Sequence, residues 1–190
     1  MKSHFYAMLS RMKNIYRWGL MRNTRQENLS EHSLEVAFIA HALAVIRNRR
    51  LGGSVDAEKV AVAAMFHDTS EIITGDMPTP IKYYNADIKS VYKDIENVAQ
   101  DKLLSLLPED LRDDYTALYK PGEEEKRIIK AADKISALIK CIEETSSGNR
   151  EFEAAKDSTL KAIKEMALPE ADIFLDEFIV SFYLPIDEMR

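Results

Sequence analysis

Ala64-Met65-Phe66-His67-Asp68-Thr69-Ser70-Glu71 closes an otherwise apolar helix with a histidine, an aspartate and a glutamate. Upstream, Ala57 to Phe66 is rich in Ala, Val and Met, and Asp56 is a fitting N-cap, so a buried helix is expected over 56–73. On such a helix His67 and Glu71 stand four residues apart and Asp68 and Glu71 three, which brings the three side chains to neighbouring faces of one turn. Polar groups at the end of a buried helix need partners, because an unpaired carboxylate there is costly or loses its charge. Imidazole beside carboxylate suits a divalent cation, and a further carboxylate one turn on stands where a general acid or base would. A His-Asp pair alone also fits a plain hydrogen-bonded helix end, so the rest of the chain has to discriminate.

On the N-terminal side, Phe5, Met8, Leu9, Met12 and Ile15 recur at helical spacing and predict an amphipathic helix over 3–15. Residues 16–29 have no clean period and read as an ordered loop that carries Arg17, Arg22 and Arg25 beside Trp18, the only tryptophan. Guanidinium groups take phosphate oxygens through paired donors, and an indole packs on a sugar or base. The alternative is arginines that are solvated or paired with acidic helices, around a tryptophan that plugs the core. Over 30–50 a strong helix is expected, with Val36, Ile39, Leu43 and Ile46 at three- and four-residue steps and Asn28 or Ser30 as its cap. His32 falls in its first turn on the same stripe and faces inward, either as a satisfied core histidine or as a ligand. His41 and His4 lie off that pattern.

On the C-terminal side, Thr74-Gly75-Asp76-Met77-Pro78-Thr79-Pro80 reads as a stiff loop. It offers Asp76 and Thr79 to substrate hydroxyls, or is a plain helix-breaking connection. A charge-laced helix is expected over 81–107, its apolar stripe running through Ile88, Val91, Tyr92, Ile95, Val98, Leu103 and Leu106, then a short helix over 109–118. Residues 123–145 predict another strong helix, buried through Ile128, Ile129, Ala132, Ile135, Leu138, Ile139 and Ile142. Asp133 lies close to that stripe, either tilted to solvent with Lys130 and Lys134 or buried against a cation. Helices near 150–167 and 169–180 complete the chain. With no convincing strand, repeat or linker, the expectation is an all-α, single-domain helical bundle over 1–190.

At 190 residues and 46% hydrophobic content the chain can bury a full core. Its net charge of −6 argues against a nucleic-acid polymer as partner. The charge is uneven: residues 1–50 hold nine Lys/Arg against three Asp/Glu, a balance of +6, and the remainder 17 against 29, a balance of −12. A basic quarter on an acidic protein points to a local anion site. The single Cys141 excludes an internal disulfide, and no apolar run approaches membrane-spanning length, so no membrane and a cytoplasmic location are expected.

Three helices thus each offer an inward ligand: His32, His67 with Asp68, and Asp133. Two imidazoles and two carboxylates suit a divalent first-row metal, with positions left for water or substrate. This order, His…His-Asp…Asp, resembles the HD-domain metal-dependent phosphohydrolase superfamily. Arg17-Trp18, Ser30-Glu31-His32-Ser33, His67-Asp68-x-x-Glu71 and Thr74-Gly75-Asp76-x-Pro78-Thr79-Pro80 together resemble the bacterial 5′-deoxynucleotidases of the YfbR type, over nearly the whole chain. Met77 departs from that pattern, standing where the family carries leucine.

The resemblance implies one divalent metal ion per subunit, such as cobalt, manganese or copper, on His32, His67, Asp68 and Asp133. It implies Arg17 holding and orienting the substrate phosphate, Trp18 lining the pocket, and Asp76, Met77, Pro78 and Thr79 contacting the nucleoside, with Asp76 suited to the sugar 3′-hydroxyl. Glu71 would be the acid/base residue, and a metal-activated water would attack phosphorus. The implied substrate is a deoxyribonucleoside 5′-monophosphate, hydrolysed to deoxyribonucleoside and phosphate by a homodimer. No histidine follows His67, so the added imidazoles of binuclear relatives are missing. The alternatives are a dNTP triphosphohydrolase or broad nucleotidase, for which Arg22 and Arg25 would be the extra cations, and a non-catalytic metal-containing nucleotide-binding protein.

Overall fold

The computed structural model describes residues 2–82 and 84–189, apart from the side chain of Thr79. Among them the ordered elements are helices: α1 (Phe5–Leu9), α2 (Leu29–Arg50), α3 (Ala57–Phe66), α4 (Glu71–Thr74), α5 (Thr79–Lys82), α6 (Ala86–Leu104), α7 (Arg112–Leu118), α8 (Glu123–Ser146), α9 (Glu153–Glu165) and α10 (Pro169–Glu177), joined by loops and 3-10 turns. The only β pairing described is a single antiparallel bridge between Tyr16 and Asn28. The chain is all-α.

α2 starts where the Asn28 side chain accepts hydrogen bonds from the backbone N–H groups of Ser30 and Glu31, while the Glu31 carboxylate accepts one from the backbone N–H of Asn28. α2, α3 and α8 pack on one another, with α9 against α8 and α10 against α2. Val36, Leu43, Val60, Ile128, Ile135 and Ile139 fill the core between them. Ala40, Ala44, Ala63, Ala64, Ala131 and Ala132, all buried, have side chains short enough for the three helix axes to approach closely. α2 is, by length and composition, apolar enough to cross a membrane, contrary to the reading of the sequence. Most of its apolar side chains, Val36, Ile39, Leu43 and Ile46 among them, instead pack into the core, while Leu34, Phe38 and Val45 face outward, and α2 is the central helix of the bundle.

Several elements differ from the periodic expectation. The helix expected over 3–15 is α1 followed by the 3-10 turn Ser10–Asn14. The helix expected over 56–73 ends at Phe66, and residues 67–70 form a tight turn before α4. There the backbone bonds run to the third residue back, from Thr69 to Phe66 at 3.2 Å and from Glu71 to Asp68 at 2.9 Å. The last carbonyls of α3 are taken by side chains, Phe66 by the Thr69 hydroxyl at 2.9 Å and Ala64 by the His67 ring at 2.7 Å. α5 begins inside the expected 74–80 loop, and the helix expected over 81–107 is replaced by α5 and α6, the latter capped by Asn85. On α6 only part of the expected stripe is inward: Tyr92 and Leu103 are buried, whereas Val91, Ile95 and Val98 face outward.

The loop carrying the arginines is tied to the C-terminal half of α8. Glu144 accepts from the Thr24 amide at 2.9 Å, the Thr24 hydroxyl at 2.8 Å and Asn149 Nδ2 at 2.8 Å, and pairs with buried Lys140, which also donates to the Arg25 carbonyl. Burial pushes the Glu144 carboxyl up, but Lys140 and the other donors outweigh it and hold it at about 2, against an ordinary 4.5. A depressed carboxyl contributes stability above the ordinary value and loses it as pH falls from about 4.5 toward 2. Glu144→Ala leaves the buried Lys140 charge without its counter-ion, holding only the Arg25 carbonyl, and is expected to cost about 3–5 kcal/mol in urea unfolding at pH 7. The variant should also lose much of the wild-type acid transition over that window, as followed by circular dichroism.

Candidate active site and metal centre

The first turn of α2, the end of α3 and the middle of α8 converge on one point. They bring His32, His67, Asp68 and Asp133 together, with one potential ligand atom from each lying within 4.8 Å of all the others. His67 Nε2 is 3.0 Å from Asp68 Oδ2, His32 Nε2 is 3.1 Å from Asp133 Oδ1, and His32 Nε2 is 3.6 Å from Asp68 Oδ2. Close as these oxygens are, neither buried Nε2 makes an aligned hydrogen bond. Each ring is committed through its other nitrogen: His67 Nδ1 donates to the Ala64 carbonyl at 2.7 Å, and His32 Nδ1 bonds Ser136 Oγ at 3.1 Å. Two ligand atoms at about 2.1 Å from a cation are about 3.0–3.4 Å apart for right-angle to tetrahedral geometry. The 3.0 and 3.1 Å separations lie in that range and 3.6 Å corresponds to a slightly wider angle, so the quartet is placed to hold a divalent ion, and the mixed nitrogen and oxygen donor set suits a first-row metal. Asp133, whose orientation the sequence left open, is turned into this cluster.

The electrostatics follow from the close approach of these four groups and Arg17, with His32 fully buried and Asp133 on the open side. Burial works against charge on His67, yet Asp68 beside it raises the imidazole to about 9. Burial likewise opposes the Asp68 carboxylate, but His67, His32 and Arg17 hold it well below the ordinary range. Asp133 is held at about 2 because the adjacent His32 ring and Arg17 outweigh burial. His32 is lowered, first by burial and then by Arg17.

Arg17 projects from the loop into the same cluster, its Nη1 3.4 Å from Asp68 Oδ2 and its Nη2 3.9 Å from Asp133 Oδ1. Burial alone would lower the guanidinium; Asp133, Asp68, Glu27 and Asp76 raise it instead. The organiser of this loop is Glu27, whose Oε2 accepts from Arg17 Nε at 3.3 Å and from Trp18 Nε1 at 2.8 Å. Trp18, at φ 60°, packs on Phe152 with ring centroids 5.3 Å apart. The sequence reading missed Glu27, because its partners are nine and ten residues away across a loop with no period. Only the Tyr16–Asn28 bridge brings them together.

Glu71 opens α4 and is 4% exposed, with its Oε2 lacking any hydrogen-bond partner. Burial, then Asp68 and Asp76, push its carboxyl to about 9. Asp76, Met77 and Pro78 are half-buried in the loop that follows, and the Asp76 carboxyl is raised chiefly by burial. Thr79 begins α5, and its side chain lies outside the described residues. Lys82, at the end of α5, pairs with Glu96 at 2.9 Å and sits over the Tyr92 ring; the sequence did not single it out. Arg22 and Arg25, by contrast, are 94% and 75% exposed and pair with Glu151 and Glu31. A cavity of about 260 Å³ opens beside the quartet, sharing His67 and Asp133 with Gln100, Tyr119, Lys126 and Ile129.

The arrangement of helices is that of the HD-domain phosphohydrolases. An HD-domain phosphohydrolase from Listeria innocua superposes with a TM-score of 0.82 at 25% identity, over 94% of this chain and 88% of its own. A cyanophage S-2L HD phosphohydrolase, solved with dA and one catalytic Zn²⁺ ion, shares the fold at a TM-score of 0.67 and 17% identity, over 92% of this chain and 96% of its own. Within that class, the model of the YfbR-like 5′-deoxynucleotidases matches residues 4–182. Proteins named 5′-deoxynucleotidase from Pectobacterium atrosepticum and Vibrio vulnificus are 53% and 52% identical over 99% of this chain and 96% and 98% of theirs. The chain belongs to the YfbR-like 5′-deoxynucleotidase family.

Proposed function

We propose that this protein is a metal-dependent phosphomonoesterase that hydrolyses deoxyribonucleoside 5′-monophosphates to deoxyribonucleoside and phosphate. The observation that carries the reading is the convergence of two orphaned histidine Nε2 atoms and two carboxylates beside Arg17 and Glu71, in a chain of this family. His32, His67, Asp68 and Asp133 would hold one divalent cation, of the Co²⁺, Mn²⁺ or Zn²⁺ kind. Such an ion, when bound, polarises phosphoryl oxygens and lowers the pKa of a coordinated water from 15.7 to about 7.

The protein's own groups do the rest. Arg17, its plane set by Glu27, presents N–H groups to phosphate oxygens and stabilises the charge that builds there in the transition state. Glu71 takes the acid/base role, moving a proton at the attacking water or the leaving 5′-oxygen. Asp76 accepts the sugar 3′-hydroxyl, and Trp18, Met77, Pro78 and Thr79 are the residues this reading assigns to the nucleoside, whose site rejects a 2′-hydroxyl. Of the three loop arginines Arg17 pairs with the cluster carboxylates, whereas Arg22 and Arg25 pair with Glu151 and Glu31 at the surface, which weighs against a triphosphate.

The same reading takes residues 1–190 as one domain acting in the cytoplasm as a homodimer, with no membrane or nucleic-acid polymer as partner. Support for it lies in the single buried Cys141, the net charge of −6, and the outward Val91, Ile95 and Val98 of α6, a face that a second copy would cover.

The test is phosphate release from dAMP, dGMP, dTMP, dUMP and dCMP, their ribose and 3′-phosphate counterparts, and dATP. It would use metal-stripped protein with cobalt, manganese, magnesium or zinc restored. Metal-dependent release from the 5′-deoxy monophosphates is expected. Preference for dATP would replace the reading by a triphosphohydrolase, and release from none, with metal bound, by a binding protein.

A further inference from the structure

The mechanism uses His32 through Nε2 and leaves unexplained what its buried Nδ1 meets. Ser136, fully buried on α8, stands 3.1 Å from that nitrogen, and its hydroxyl also donates to Glu35 Oε2 at 2.5 Å. The spacing is reciprocal. Glu35 follows His32 by three residues on α2, and Ser136 follows Asp133 by three on α8, so each helix carries one ligand and one member of this chain of bonds. We infer that Ser136 and Glu35 are positioning residues that set the tautomer and aim of His32, and through it the affinity of the centre for its cation. The inference rests on His32 being a metal ligand.

The direction of the bonds follows from donor counting. A carboxylate only accepts, and a serine hydroxyl has one proton to give. Given to Glu35, that proton leaves Ser136 Oγ as an acceptor for Nδ1–H of His32. The imidazole then carries its hydrogen on Nδ1 and a bare lone pair on Nε2, the state a metal needs and the one consistent with an Nε2 that makes no hydrogen bond. Reversing the relay would put the hydrogen on Nε2 and block the site. Glu35 also lines a cavity of about 100 Å³ with Arg25, Glu27, Lys140 and Glu143, which gives water access to this end of the relay. Burial raises its carboxyl, with Ser136 pulling it back, to about 6, so at neutral pH it is ionised and fit to accept.

A merely structural polar contact would affect folding and leave metal affinity alone. The experiment therefore compares metal-stripped wild type with Ser136→Ala, Glu35→Ala and Glu35→Gln. Zn²⁺ and Co²⁺ affinity would be read by competition with a chromophoric chelator, the Co²⁺ absorption spectrum would report ligand geometry, and thermal melting of the metal-free proteins would report the fold. Expected are about 10–100-fold weaker binding and an altered Co²⁺ spectrum in Ser136→Ala and Glu35→Ala, without matching loss of metal-free stability. Glu35→Gln, whose amide oxygen still accepts the serine proton, should recover part of the affinity. If Ser136→Ala fails to fold, the two Glu35 variants carry the test. Affinity and spectrum unchanged in the folded variants, or lost only in proportion to stability, would overturn the relay. A wild type that takes up no cation would instead overturn the ligand reading on which it rests.

Discussion

Asp68→Asn is expected to abolish metal-dependent phosphate release while leaving a folded protein. Asp68 Oδ2 is the hub of the cluster, 3.0 Å from His67 Nε2, 3.6 Å from His32 Nε2 and 3.4 Å from Arg17 Nη1. The amide has nearly the same shape but no charge. It would therefore remove the donor that Asp68 is proposed to give the cation, and the anion that offsets Arg17. Outer partners of metal ligands are each worth about 10–100-fold in affinity, so loss of a direct ligand should exceed about 100-fold. Metal content after dialysis against a chelator and re-addition of Co²⁺ or Mn²⁺ should fall from one ion per chain toward none, with turnover falling in parallel. Wild type stripped of metal should show the same loss, reversed on re-addition. A variant that keeps its ion and its rate would remove Asp68 from the centre.

The second large effect is expected at Glu71, and its signature is the opposite for metal. Glu71→Gln keeps the volume and one acceptor oxygen of a side chain that is 4% exposed, but cannot trade a proton. Loss of a positioned acid/base group lowers turnover by about 10²–10⁴-fold. Metal affinity should stay near wild type, since Glu71 lies outside the quartet of converging atoms. Nor should metal-free stability fall, because the buried Oε2 of Glu71 has no hydrogen-bond partner to lose. Single-turnover phosphate release from dAMP at saturating metal would measure it. A drop confined to KM, with kcat intact, would make Glu71 a binding residue.

Together these substitutions would separate the two proposed roles, which lie three residues apart in the chain. The break at His67 is what keeps them separate. A continuous helix would have carried Glu71 along the same face as His67, whereas the tight turn over 67–70 lets Asp68 face the cluster and starts α4 afresh at Glu71. The family to which the chain belongs could be read from Arg17-Trp18, the His-Asp pair with Glu71 and the 74–80 loop, since these motifs are local and their spacing is intact.

What the sequence by itself determined is therefore the all-α class, the two long helices α2 and α8, and the set of residues able to meet at one point. Burial stripes on a helix repeat every three to four residues, so they are written locally: Val36, Ile39 and Leu43 announce α2, and Ile128, Ile135 and Ile142 announce α8. Tertiary structure decided the rest. It turned Asp133 inward, sent Arg22 and Arg25 to the surface, split α6 into an inner and an outer face, and ended α3 at Phe66 through the Thr69 and His67 side chains. It also supplied the partners no period reveals: Glu27 for Arg17 and Trp18, Glu144 for Thr24, and Ser136 with Glu35 for His32. A hydrogen bond depends on where two atoms stop in space. For residues as much as 120 positions apart, only the packing of α2, α8 and the loop over 16–28 against one another sets that.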